Sequence, residues 1–216
     1  MTDLPPPNHH GGQAGFSGIS GAFAAATFLI GRSQDASLAC DLMAVEPGDH
    51  VVDIGCGPGR TLREAIARGA KVTGVDPAPV MLRTARLLTR SDKAVWLDGT
   101  AEDLPVDAGA ATVVWSIATV HHWTDVQAGL AECWRVLSPG GRLLALERRR
   151  SPKATGHASH GWTEQQGEAF AQMARAQGFD DASIGLHTVR RGALIAVVAS
   201  KPLAAPGSGE TTTPQP

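Results

Sequence analysis

The sequence predicts an α/β protein built on a doubly wound parallel sheet. Three observations predict it. Short apolar, β-rich runs alternate with helical stretches from Val51 to Glu147. The first run, Val51-Val52-Asp53-Ile54, is nearly continuous in its apolar character, as a strand covered on both faces must be. That run leads directly into Gly55-Cys56-Gly57-Pro58-Gly59 and then a helical pattern, a strand–glycine turn–helix unit of the kind that holds a nucleotide-like cofactor.

Taken in order, residues 1–21 are rich in Pro, Gly, His and Ser, and the start LPPPNHHGGQ is expected to be disordered. The globular domain is expected over residues 22–201, with helices in residues 22–46. Phe16 to Ile30 gathers Phe16, Ile19, Phe23, Phe28, Leu29 and Ile30, an amphipathic helix pattern. Ser37 to Val45 reads as a helix, and Pro47-Gly48-Asp49 turns it into the first strand. Pro58 suits a first helical turn because it has no N–H to leave unpaired. Arg60 to Arg68 is then the first crossover helix, ended by Gly69.

Lys71 to Val75 is the second strand, Pro79 to Thr89 a helix and Ala94 to Leu97 the third strand. Ala110 to Ser116 is the fourth strand and Trp123 to Leu137 a helix. Ser138-Pro139-Gly140-Gly141 turns into the fifth strand, Arg142 to Glu147. Thr163 to Gln177 reads as a helix with Thr163 as N-cap and Gln166 at the matching capping-box position. Gly178 ends it. Ala182 to Val189 and Ala193 to Ala199 form a hairpin, and residues 202–216 are expected to be a disordered tail. Right-handed crossovers place all parallel strand C-termini on one edge, which is where ligands bind in such sheets.

Composition narrows the functional classes. The chain has 216 residues, 43% hydrophobic, with a net charge of −2, so no basic excess points to nucleic acid. The three cysteines form no C-x-x-C pair and fit reduced thiols in a cytoplasmic protein. The longest apolar stretch, Ala22 to Ile30, is too short to span a bilayer. The expected partner is a small-molecule substrate, with neither nucleic acid nor membrane.

Spacing and charge at the glycine turn choose the cofactor. A dinucleotide fingerprint requires G-x-G-x-x-G, but the third glycine here comes one residue early and Arg60 stands in its place. Asp53 lies at the mouth of the turn, where a carboxylate repels a pyrophosphate and attracts an amine. S-adenosylmethionine has an ammonium, a sulfonium and no phosphate. Asp76 ends the second strand about 20 residues past the turn, where an acid can bond both ribose hydroxyls. A nicotinamide-dependent oxidoreductase is therefore the weaker reading, and a non-catalytic S-adenosylmethionine-binding protein is a second alternative.

The stretches VVDIGCGPGR, GVDPAPVML, GTAEDLP, IATVHHW and RVLSPGGRLLALE occur in the order and spacing of a known family. The chain resembles the class I S-adenosylmethionine-dependent methyltransferases, in the small-molecule group that includes the ubiquinone/menaquinone C-methyltransferases. The resemblance implies a seven-stranded, mostly parallel Rossmann-like sheet with an antiparallel last strand and helices on both faces. It implies transfer of a methyl group to a carbon, oxygen or nitrogen nucleophile by in-line displacement. It also implies that the N-terminal helices can act as a lid over the cofactor, a reading compatible with simple packing.

On the residues, the resemblance assigns cofactor contact to Asp53, Gly55, Gly57 and Gly59, and the ribose to Asp76, followed by Pro77. Met81 would set an apolar side chain against the adenosine. Relatives usually carry Asp where Thr100 stands; here Thr100, or backbone at Ala101 and Glu102, would meet the adenine. Ser116 to Trp123 follows the fourth strand, beside the expected position of the methyl group. His121 and His122 are the general-base candidates there, because imidazole titrates near neutrality. His121 is the catalytic choice, against a purely structural role as loop brace. No metal site is read: His157 and His160 make an H-x-x-H, but two ligands do not make a site. Arg148-Arg149-Arg150 lies at the ligand edge, either solvated or available to an acidic substrate group.

Overall fold

The computed structural model describes residues 4–11, 33–190 and 192–203. Its central feature is a seven-stranded sheet in the order β3-β2-β1-β4-β5-β7-β6. The strands are β1 (His50–Ile54), β2 (Lys71–Val75), β3 (Ala94–Leu97), β4 (Ala111–Ile117), β5 (Leu137–Arg148), β6 (Asp180–Val189) and β7 (Gly192–Ser200). Strands β1 to β5 pair in parallel. β7 pairs antiparallel with both β5 and β6, as the resemblance implied.

Strand parity sorts the side chains into two layers. Val51, Val72, Val113 and Leu144 face α1 (Ser33–Leu42), α2 (Arg60–Ala67) and α3 (Pro79–Leu88), sharing a core with Cys40, Leu62 and Leu82. Their neighbours Val52, Val114 and Leu143 face α4 (Val126–Val136) and α5 (Glu164–Gln177), sharing a second core with Leu130 and Phe170. Both faces of the sheet are therefore covered, which explains the continuous apolar runs. The chain winds outward from β1 in two directions, so the crevice between the C-terminal ends of β1 and β4 is the topological switch point.

Most element boundaries agree with the sequence pattern; the helix expected over Ser37 to Val45 lies at Ser33–Leu42, and two further departures have local causes. The helix expected from Trp123 starts at Val126, because the Asp125 side chain accepts the N–H groups of Gln127 and Ala128 and caps it there. β5 begins at Leu137 rather than Arg142, and Ser138 to Gly141 lie within it. The Thr163–Gln166 capping box is present as expected, and Gly178 closes α5 in a left-handed conformation.

Disorder was expected for the start of the chain, and residues 4–11 depart from it. They form a turn bound to the domain by hydrogen bonds from side chains to its backbone carbonyls, Trp162 Nε1 to Pro7 O and Gln166 Nε2 to Pro6 O, both 2.9 Å. The polar composition that suggests disorder supplies the groups that pair here. Phe16 to Ile30, and with it most of the helical segment read as a lid, lies outside the described residues, as does Arg191 in the hairpin turn. Among the described residues, no helix is long and apolar enough to cross a membrane.

Candidate active site

The glycine turn follows β1 at the switch point. Gly55, Gly57 and Gly59 all have positive φ, but they serve different neighbours. A Cβ on Gly55 would lie 2.6 Å from the Thr119 side chain, and one on Gly59 would lie 2.2 Å from the Trp96 ring. Those two glycines make room for protein. A Cβ on Gly57 would meet nothing within 4 Å, so this backbone borders open space where a ligand can approach.

Two acids flank that space. Asp53 is 1% exposed, and its Oδ2 accepts a 2.6 Å hydrogen bond from the Thr61 hydroxyl. Burial pushes its carboxyl up to about 7, against the pull of that hydroxyl. Among the described residues its neighbours Thr61, Trp115 and Asp76 bring no cation to balance it, and a ligand ammonium would relieve the cost of burying it. Asp76 accepts the Gly57 N–H on Oδ2 and the Ala78 N–H on Oδ1, both at 2.8 Å. Burial raises its carboxyl and the two amides oppose that rise. The amides occupy one lone pair on each oxygen and leave the other pair for two ribose hydroxyls. These residues fit S-adenosylmethionine: a buried acid for its ammonium, a braced acid for its ribose and side-chain-free backbone between them.

The remaining cofactor candidates divide. Met81 is buried on the first turn of α3, and Pro77 is exposed beside Asp76. Thr100 is exposed and Ala101 buried. The Glu102 carboxylate accepts the Thr124 and Asp125 N–H groups at 2.8 and 3.1 Å, so it braces the approach to α4 and leaves only its backbone for an adenine. Ser116 is buried, and its hydroxyl shares a hydrogen bond with that of Thr119, which in turn donates to Ile54 O at 2.9 Å. Thr119 thus links the glycine turn to the loop after β4.

That loop carries His121. Both carboxylate oxygens of Glu147 lie 2.9 Å from His121 Nδ1, and the two residues are 3% and 0% exposed. A carboxylate only accepts, so Nδ1 holds the hydrogen and Nε2 is the nitrogen left for chemistry. Nε2 lies 3.3 Å from His160 Nδ1. His122 packs beside His121 with ring centroids 4.1 Å apart. Burial, then the neighbouring imidazoles, holds His122 down at about 4, so this ring is neutral at physiological pH. His9 and His10, from the N-terminal turn, stack over the group, with His10 4.7 Å from His160.

A family profile described as a methyltransferase domain matches residues 52–145. Demethylmenaquinone methyltransferase of Tropheryma whipplei is 30% identical over 135 residues, which is 61% of this chain and 56% of that protein. An uncharacterized methyltransferase of Mycobacterium tuberculosis is 32% identical over 154 residues, 71% of this chain and 60% of the relative. Residues 52–145 of the chain thus carry a methyltransferase domain, and its relatives are methyltransferases. It spans a little more than half the length of these curated relatives, 56% and 60%. The solved S-adenosylmethionine-dependent methyltransferase of Aquifex aeolicus has the same fold, with a TM-score of 0.67 at 16% identity over 82% of this chain and 97% of that one. So does the [4+2]-cyclase SpnF, with a TM-score of 0.66 at 19% identity over 79% and 80%. The family fold therefore hosts more than one chemistry.

Within that frame, Glu147 and His10 are the functional candidates that the sequence reading missed, and His9 packs beside them with both ring nitrogens bonded to protein. Glu147 had one signal: an acid ending an otherwise apolar strand at the ligand edge. His9 and His10 had none, since they reach the site across more than a hundred residues of chain. Two arginines of the triplet are engaged with protein. Arg149 pairs with Glu164, and Arg150 donates to Gln166 Oε1 and Gly161 O. The His157 side chain lies outside the described residues.

Proposed function

We propose that this protein binds S-adenosylmethionine and transfers its methyl group to a small-molecule nucleophile. The observation that carries the reading is the opposition of two half-sites on one sheet edge. Open backbone at Gly57 lies between buried Asp53 and amide-braced Asp76, and the Glu147–His121 pair stands beside it, joined through Thr119.

When bound, S-adenosylmethionine supplies a methyl group already activated by the sulfonium charge. The protein then has to hold, align and deprotonate. Asp53 would receive the ammonium and Asp76 the ribose hydroxyls. Met81 would border the adenosine, with Thr100 and the Ala101 and Glu102 backbone near the adenine. The chemistry the cofactor would supply is methyl transfer to the acceptor's lone pair, with the sulfonium sulfur as the leaving group. His121 Nε2 takes the acceptor's proton, and Glu147 holds the ring in the correct tautomer. The relatives' names suggest acceptors to screen first: phenolic or quinol rings and acyl carboxylates.

The test is calorimetric titration with S-adenosylhomocysteine, with NAD as a parallel control, followed by transfer of labelled methyl to the acceptor panel. Micromolar binding of S-adenosylhomocysteine with labelled product supports the reading. Binding without product across the panel favours a non-catalytic binding protein. NAD binding in place of S-adenosylhomocysteine overturns it.

A further inference from the structure

We propose that His121, His122 and His160 bind a divalent transition-metal ion of the zinc class at the acceptor side of the site. Each of the three offers one ring nitrogen, and these nitrogens all lie within 4.8 Å of one another. Their ring centroids are 4.1, 5.4 and 5.3 Å apart. Two nitrogens held at about 2.0–2.1 Å by one tetrahedral ion lie about 3.3–3.4 Å from each other. His121 Nε2 and His160 Nδ1 are 3.3 Å apart, long for a hydrogen bond and matched to two ligands of one ion.

The surroundings are those of a metal ligand. His121 donates its other nitrogen, Nδ1, to the fully buried Glu147 carboxylate. That contact orients the ring and aims the Nε2 lone pair at His160, the arrangement in which a carboxylate supports a metal-bound histidine. An all-imidazole donor set favours zinc, cobalt, nickel or copper over magnesium and calcium.

A second observation points to a missing ligand at the same place. His10 closes over the three rings, with centroids 4.7 Å from His160, 5.9 Å from His122 and 6.0 Å from His121. Its Nδ1 is buried and has no hydrogen-bond partner among the described residues. An ion-bound water would supply one. His9 does not have this character, because Gln166 takes its Nδ1 and Ser159 O its Nε2. Three protein ligands plus a water is the pattern of a zinc site with an exchangeable position.

This inference goes beyond methyl transfer and does not depend on it. His121 Nε2 acts as the base only in the metal-free chain, because with an ion bound it is a ligand and holds no lone pair for a proton. A hydroxyl on the exchangeable position then ionises near neutral pH and releases its proton to water.

The experiment uses the full chain without a histidine tag, stripped with chelator and titrated calorimetrically with zinc alone. Cobalt(II) is added in parallel and its visible absorption recorded. The expected result is one zinc per chain and an intense tetrahedral cobalt spectrum. His122→Ala and His160→Ala, both at half-buried positions, should each weaken zinc at least about tenfold, and Glu147→Gln about 10–100-fold. His9→Ala should keep the affinity. S-adenosylhomocysteine is titrated into the same samples, so failure of the metal site is distinguished from failure of the methyltransferase reading. Absence of zinc binding in the wild-type chain overturns the proposal, and so does undiminished binding in a folded His122→Ala/His160→Ala double variant.

Discussion

Glu147 places both carboxylate oxygens 2.9 Å from Nδ1 of His121, and the pair is sealed from solvent. The contact joins the end of β5 to the loop after β4, so two neighbouring strands set the orientation of one ring. Replacing Glu147 with Gln keeps the volume and removes the charge that favours the Nδ1–H tautomer. If His121 removes the acceptor's proton, kcat should fall about 10²–10⁴-fold while S-adenosylhomocysteine affinity stays near wild type. Glu147→Ala should also unfold earlier in urea by about 1–3 kcal/mol, because it leaves a buried ring N–H unpaired. Turnover unchanged in Glu147→Gln would reduce the pair to a structural brace.

Asp76 accepts the amides of Gly57 and Ala78, and in the proposed reading its remaining lone pairs accept the ribose hydroxyls. Asp76→Ala should weaken S-adenosylhomocysteine binding by about 1–3 kcal/mol. Asp76→Asn should fall between, since the amide oxygen still accepts from one backbone N–H. Calorimetry reads both variants, and circular dichroism checks that each is folded. Wild-type affinity in a folded Asp76→Ala protein removes the ribose assignment.

Gly57 and Gly59 should respond differently to the same added methyl group. At Gly57, φ is +53° and the space beyond is open. Gly57→Ala should cost about 1–2 kcal/mol of stability from the left-handed backbone alone, and its Cβ should cut cofactor affinity by tenfold or more. At Gly59 the Cβ would land 2.2 Å from the Trp96 ring. Gly59→Ala should therefore lose about 1–3 kcal/mol more in stability through overpacking. Denaturant midpoints and S-adenosylhomocysteine titrations on both variants separate the two roles. Equal losses of both kinds would mean that the whole turn acts as one unit.

The part of this protein written locally was legible in its sequence. Strands β2 and β3 and the Thr163 cap depend on neighbours a few residues away, and periodicity and capping chemistry report those directly. The placement of Asp53 and Asp76 on one edge of the sheet was legible, because strand–turn–strand spacing fixes where a parallel sheet puts them. The imidazole group was not. His10, His121, His122 and His160 come from three separate segments, and no sequence period links them. In sequence His160 sits at H-x-x-H spacing from His157, whereas its structural partners are His121 and His10. The Pro- and Gly-rich start misled for the same reason: composition reports the absence of regular structure, but not hydrogen bonds such as Trp162 Nε1 to Pro7 O.

Asp53 gives a pH dependence whose sign follows from its burial. Its carboxyl is raised from 3.8 to about 7 in the folded protein. The folded state therefore holds a proton that the unfolded chain releases, and stability is highest below the unfolded value. It declines as pH rises from about 4 and levels off above 7. Asp53→Asn keeps an oxygen for the Thr61 hydroxyl and has no charge to bury. The wild-type chain should lose about 2–4 kcal/mol more than Asp53→Asn between pH 4.5 and 8, read from urea midpoints at the two values. Ligand binding should run the other way. The ionised carboxylate is the form that attracts an ammonium, so S-adenosylhomocysteine should bind more tightly to wild type at pH 8 than at pH 6. Asp53→Asn should bind it more weakly and with little change across that range. A wild-type affinity that is flat from pH 6 to 8, with an equally flat stability difference, would place the cofactor's amino group elsewhere.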